Sequence, residues 1–162
     1  MKTLYLLRHA HAIDAAPVSC GDHERFLSET GIRQAEQVAA CLQARGIVPD
    51  LVSSSSSVRT SQTVRIVFGC LPDEALAIPA QFSRMLYLAS AATLFQHISD
   101  IEDDVERLLV VAHNPGLSDL SAWLGAGTDF SPATLAVFNA DIDSWQDFAP
   151  GRHVRLEYVF NP

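Results

Sequence analysis

Cysteine is scarce and unpatterned in this chain. Its three residues, Cys20, Cys41 and Cys70, are odd in number and far apart, which argues against a disulfide framework or a zinc site and for the reduced thiols of a cytosolic protein. Long apolar runs are missing as well, since none approaches the ~18 residues that a membrane span requires. Positive charge is the minority sign: 11 Lys and Arg stand against 19 Asp and Glu, a formal charge of −8. That balance disfavours a polyanion-binding surface, since nucleic-acid domains usually show a net basic face. Arginines gathered in a pocket would instead form a local positive well in an acidic shell, suited to a small anionic group. Met1-Lys2-Thr3-Leu4 carries none of the basic start, long apolar stretch and small-residue cleavage site of a secretory leader, so a cytoplasmic location is expected. No repeat and no linker interrupts the sequence. With 48% hydrophobic and 19% charged residues over 162 positions, residues 1–162 are expected to form one domain around one substantial core.

What is present is an alternation of strands and helices. Leu4-Tyr5-Leu6-Leu7 is apolar throughout, as expected of a strand buried on both faces. Residues 10–27 read as a loop containing Pro17 and Gly21. Ser28 is a helix N-cap, followed by Ile32, Ala35, Val38, Ala39 and Leu42 at helical spacing, with Gly46 as the stop. Asp50 to Ser53 predicts a second strand entering the polar run Ser53 to Ser57, and a helix over Val58–Phe68 ends at Gly69 and Pro72. Residues 73–89 are irregular, with a short strand near Ile78. Leu94, Phe95, Ile98 and Ile101 mark another helix. Leu108 to Ala112 is the clearest strand and leads through His113-Asn114-Pro115-Gly116 into a helix carrying Leu117, Leu120 and Leu124. Thr134–Phe138 and Val154–Phe160 complete the set as late strands. Such alternation predicts an α/β fold, a three-layer α/β/α sandwich around a mainly parallel sheet.

Three strand ends carry the chemistry. The first strand ends on Arg8-His9, the second leads to Arg59 in a helix's first turn, and the third ends on His113. In a parallel sheet these ends share one edge, where ligands bind. Burying Arg8 and His9 there is costly unless an anion meets them. Phosphoryl transfer fits, because it spreads negative charge over three equatorial oxygens and needs mostly positioning and electrostatic stabilisation. Two guanidinium groups and a protonated imidazole would clamp the oxygens, leaving one neutral imidazole as nucleophile.

Four ordered blocks carry a family resemblance: Leu6-Leu7-Arg8-His9-Ala10, Leu27 to Ala35, Ser55 to Thr63, and Val111 to Gly116. Together they resemble the histidine phosphatase superfamily, whose fold is phosphoglycerate mutase-like. Leu86-Tyr87-Leu88-Ala89-Ser90 is similar to the SixA-type phosphohistidine phosphatases in particular. The resemblance implies that His9 becomes phosphorylated, that Arg8, Arg59 and His113 form the phosphate pocket, and that water then hydrolyses the intermediate. It implies a phosphorylated protein, such as a histidine-containing phosphotransfer domain in signal transduction, as substrate and partner, with no cofactor and no metal. Ser56 replaces the family's usual proline, so a looser turn is expected there. The middle of the chain offers only Asp73 and Glu74 before the Arg84 to Ser90 segment, and neither stands in a matching motif. Phosphohistidine needs such an acid least, because its leaving imidazole can be protonated from solvent. A phosphatase for small phosphomonoesters and a non-catalytic phosphate-binding module are the alternatives.

Plainer roles are expected elsewhere. The pair His9-x-His11 is a metal motif in other folds, but the barrel that uses it needs ~250 residues, and His11 is read as a solvated side chain at the pocket mouth. His23, His97 and His153 are expected at the surface, Arg25 and Arg84 at the rim or in solvent, and Trp123 and Trp145 as packing anchors.

Overall fold

Hydrophobic strand residues with alternating orientation create two cores, one on each side of a single six-stranded sheet. In this computed structural model, which describes residues 1–14, 21–151 and 153–162, the strands are β1 (Lys2–Arg8), β2 (Leu51–Ser55), β3 (Ala80–Ser83), β4 (Arg107–Ala112), β5 (Leu135–Ala140) and β6 (Val154–Phe160). Their order across the sheet is β3-β2-β4-β1-β5-β6. The first four run parallel, while β5 pairs antiparallel with both β1 and β6. Pro17 and Cys20, in the predicted 10–27 loop, lie outside the described residues.

Leu4 and Leu6 of β1 point to one face with Leu108 and Val110 of β4, and Tyr5 and Leu7 point to the other with Leu109 and Val111. Helices α1 (Glu29–Ala44) and α2 (Val58–Gly69) cover the second face; α3 (Ala91–Ser99) and α4 (Gly116–Trp123) cover the first. Leu4, Leu6, Leu108 and Val110 are fully buried, and each such side chain contributes on the order of 2 kcal/mol. The three-layer α/β/α sandwich is therefore the observed architecture, with an antiparallel pair at one edge.

Local signals act as the sequence indicates in most places. Ser28 caps α1 by accepting from the Gly31 N–H. Gly46, at φ +62°, follows the helix in the left-handed region, where Gly46 N–H donates to Gln43 and Ile47 N–H to Leu42. Gly69, by contrast, is the last helical residue rather than the stop. β2 continues two residues past Ser53, and Ser53, Ser54 and Ser55 are all buried. Trp145 is fully buried, with its indole N–H donating to the Val105 carbonyl at 2.7 Å, but Trp123 is 47% exposed and is not a buried anchor. His97 is half-buried rather than on the surface, since it lies three residues after Leu94 and directly before Ile98, the two residues that α3 buries beside it.

Candidate active site

The carboxyl ends of β1, β2 and β4 deliver their side chains to one cleft of about 340 Å³. Arg8, His9, Arg59 and His113, the four residues singled out from the strand ends, all line it. His9, Arg59 and His113 form a buried floor, while His11, Asp14 and Leu88 make an exposed rim. The His9 and His113 ring centroids are 5.1 Å apart.

Hydrogen-bond partners assign opposite tautomers to the two imidazoles. His9 Nδ1 lies 2.7 Å from the Ala10 carbonyl, which only accepts, so this nitrogen carries the proton. His9 Nε2 faces the Arg59 Nε–H at 3.4 Å and therefore keeps its lone pair toward the cleft. His113 is reversed: Nδ1 accepts from Arg59 Nη2 at 3.3 Å, and Nε2 donates to Ser55 Oγ at 2.7 Å. Protonating either ring would set an N–H against a guanidinium N–H. Burial, reinforced by Arg59 and Arg8, accordingly lowers the His9 pKa to about 4. Burial followed by the neighbouring His9 and Arg59 lowers that of His113 to about 3. The expected protonated imidazole in the clamp is thus corrected: in the free protein His113 is neutral, because it is desolvated beside two arginines.

Arg8 extends from the end of β1, and its Nη1 donates to the Phe130 carbonyl at 2.7 Å. Its buried Nε has no partner among the described residues, which leaves a donor for an oxyanion. Arg59, 1% exposed, sits in the first turn of α2. Beyond its two histidine contacts, it donates through Nη1 to the Asp22 carbonyl at 2.6 Å and through Nη2 to Asp22 Oδ2 at 3.0 Å.

Sequence reading missed Asp22. Its carboxylate also accepts from Tyr87 Oη on Oδ2 and from Arg25 Nε on Oδ1 at 2.9 Å. The Tyr87 hydrogen bond, with Arg59 and Arg25, lowers its pKa to about 2. His23 is corrected too: rather than a plain surface residue, it packs against Tyr87 at 4.9 Å between centroids and reaches Ser56 Oγ at 3.1 Å. The turn at Ser56 is pinned rather than loosened, because Ser56 N–H donates to the Ser83 carbonyl, a bond proline cannot make. Arg25 lines the cleft, whereas Arg84 is exposed and does not. His11 lies at the rim and bonds Ser28 Oγ through Nδ1.

The remaining motif residues hold backbone. Thr63 Oγ1 accepts from Ala10 N–H, Gln34 Oε1 from His11 N–H and Gln62 Oε1 from Leu27 N–H. An alanine Cβ at Gly31 would lie 2.0 Å from the His11 carbonyl oxygen, and one at Gly116 would lie 2.0 Å from the Ala89 oxygen. Both helices therefore carry a glycine in their first turn, which lets them press against loops that border the cleft.

Comparison with known proteins agrees with this geometry. Residues 4–78 match the histidine phosphatase superfamily (branch 1). An uncharacterised protein of Mycobacterium tuberculosis is 32% identical over 153 residues, covering 87% of this chain and 92% of the relative. Among solved structures, the candidate phosphohistidine phosphatase SixA of Agrobacterium tumefaciens superposes with a TM-score of 0.83 at 28% identity, covering 99% of this chain and 98% of that one. A mycobacterial glucosyl-3-phosphoglycerate phosphatase shares the fold, with a TM-score of 0.69 at 18% identity over 98% of both chains.

Proposed function

We infer, from the premise that this chain belongs to the histidine phosphatase superfamily, that it hydrolyses phosphohistidine on a protein partner through a covalent intermediate on His9. The observation that carries this reading is the His9 tautomer: Nδ1–H is committed to Ala10, and the Nε2 lone pair faces the cleft beside Arg59. Nε2 attacks phosphorus in line, its bond to phosphorus forms as the bond to the leaving nitrogen breaks, and that nitrogen leaves as imidazole. Arg8, Arg59 and His113 hold the equatorial oxygens; His113 can take up a proton once a phosphoryl dianion offsets the arginines. A water then attacks the phosphorylated His9, releasing inorganic phosphate and restoring the lone pair.

The substrate class is supported by the acid that is missing. Of the carboxylates lining the cleft, Asp14 is exposed at the rim, and Asp22 is held ionised among three donors with no proton to give. A leaving alkoxide needs a proton in the transition state, whereas a phosphoramidate can leave with one taken from solvent or from His11. The exposed rim suits a phosphate carried on a protein. Cys41 and Cys70 are free thiols, in keeping with a cytoplasmic role in histidine-based signal transduction. A small-phosphomonoester phosphatase is the second reading, favoured by the fold shared with the mycobacterial sugar-phosphate enzyme.

The deciding experiment incubates the protein with phosphorylated histidine-containing transfer domains and, separately, with a panel of sugar phosphates. Faster loss of phosphate from the transfer domains is expected, unaffected by chelator, with a trappable phosphoenzyme that His9→Ala abolishes. Near wild-type turnover in His9→Ala would sink the nucleophile assignment. Preference for the sugar phosphates would transfer the protein to the second reading, and the absence of any phosphoenzyme would leave a binding module.

A further inference from the structure

We propose that Asp22 is a positioning residue of the phosphatase site: it grips one edge of the Arg59 guanidinium so that the opposite edge is presented to the phosphoryl group at His9. This inference rests on the phosphatase reading and adds a residue that neither the strand ends nor the family blocks had singled out.

A guanidinium offers five N–H donors in a rigid plane. The Nη1/Nη2 edge of Arg59 is engaged by Asp22, through its carbonyl oxygen at 2.6 Å and its carboxylate at 3.0 Å. The Nε/Nη2 edge faces His9 Nε2 at 3.4 Å and His113 Nδ1 at 3.3 Å. Those two contacts lie beyond the usual 2.7–3.2 Å of good N–H hydrogen bonds, so phosphoryl oxygens can replace them readily. The Asp22 contacts are short and lie on the other side. Asp22 therefore does not occupy the donors that an attacked phosphate needs.

Asp22 is itself held from three directions. Oδ2 accepts from Tyr87 Oη as well as Arg59, and Oδ1 accepts from Arg25 Nε at 2.9 Å. Arg25 in turn donates to the Ile13 carbonyl at 2.9 Å. Tyr87 presents its ring edge-on to His113, with centroids 5.5 Å apart. The brace thus joins the Asp22–Glu24 turn, the segment after β3 and the first turn of α2 around one guanidinium. Because the Asp22 side chain is 44% exposed, its replacement removes the brace without opening the core.

The test has a sign that simple electrostatics reverses. Removing a negative charge beside an anion site should tighten anion binding; removing a brace should loosen it. Binding of tungstate and of orthophosphate is measured by calorimetry for wild type, Asp22→Asn, Asp22→Ala and Tyr87→Phe, with thermal melting as the check on folding. Phosphoenzyme formation is followed in parallel. The expected result is oxyanion affinity lower by about tenfold in Asp22→Ala, a smaller loss in Tyr87→Phe, and a kcat lower by about 100-fold in Asp22→Ala, the scale of a misplaced catalytic group. Asp22→Asn, which keeps an acceptor on Arg59, should fall between Asp22→Ala and wild type. Equal or tighter oxyanion binding in Asp22→Ala would overturn the proposal and make the carboxylate a competitor of phosphate. Wild type that binds no oxyanion and forms no phosphoenzyme would instead remove the phosphatase reading itself.

Discussion

A histidine can serve as nucleophile only when its reactive nitrogen is unprotonated, and here two neighbours decide that at the level of single atoms. The Ala10 carbonyl claims the proton of His9 on Nδ1, and the Arg59 Nε–H rejects one on Nε2. His113 is governed by the same guanidinium with its nitrogens reversed. Burial and a single arginine thus set the protonation state of both rings. Titration of ring carbon signals by NMR should find His9 and His113 inflecting near about 4 and about 3, well below the ordinary value of about 6.5. An inflection near 6.5 for His9 in the free protein would contradict the arrangement. Arg59→Lys should raise both values, because a compact ammonium on a flexible stem lacks the rigid fork that faces two imidazoles at once.

At the scale of elements, the two motif glycines matter because helices start where cleft loops pass. Gly31→Ala would drive a Cβ to 2.0 Å from the His11 oxygen. It should displace the 10–12 segment, lower stability by about 2 kcal/mol as overpacked sites do, and cut turnover sharply. Gly46→Ala has open space around it and only a φ of +62° to resist; it should cost about 1 kcal/mol and leave turnover unchanged. Comparison of denaturant midpoints and rates for the two variants separates a positioning glycine from a conformational one, and equal rates in both would refute the distinction. The same elements explain what could be read from the sequence. β1 and β4 were legible because both faces are buried and their residues are continuously apolar. β2 was cut short because Ser53, Ser54 and Ser55 are small enough to pack inside despite their hydroxyls, and Ser55 is needed there to receive the His113 proton. β3 left only a trace near Ile78, since this edge strand is four residues long and exposed along most of its length. The four pocket residues were legible because strand ends deliver them. Asp22 was not, because its role depends on a turn that meets Arg59 from a distant part of the chain and obeys no local period.

For the whole molecule, holding two buried histidines neutral ties stability to pH. Their folded pKa values lie below the unfolded value of about 6.5, so the unfolded chain takes up protons first and stability must fall as pH drops below that point. Above it, neither group contributes a pH dependence. Each histidine costs up to about 1.4 kcal/mol per pH unit once the unfolded imidazole is protonated, so His9 and His113 together remove roughly 3 kcal/mol between pH 6.5 and pH 5. His97, whose pKa burial also lowers, adds in the same direction. Asp22 does not offset this: its lowered pKa contributes stability that persists above the unfolded carboxyl value of about 3.9 and fades only below it. A loss of roughly 3 kcal/mol is a large part of the ~5–15 kcal/mol that holds a domain together. Urea unfolding at about pH 7 and about pH 5 should therefore show a marked fall in midpoint with little change in slope. Saturating orthophosphate should recover part of the loss, because it binds the folded cleft and not the unfolded chain. The paired His9→Gln, His113→Gln variant should show a flatter profile than wild type across the same interval. A wild-type midpoint that stays level from pH 7 to pH 5 would mean that the two imidazoles are not held neutral by the fold, and the clamp around Arg59 would have to be redrawn with a charged ring in it.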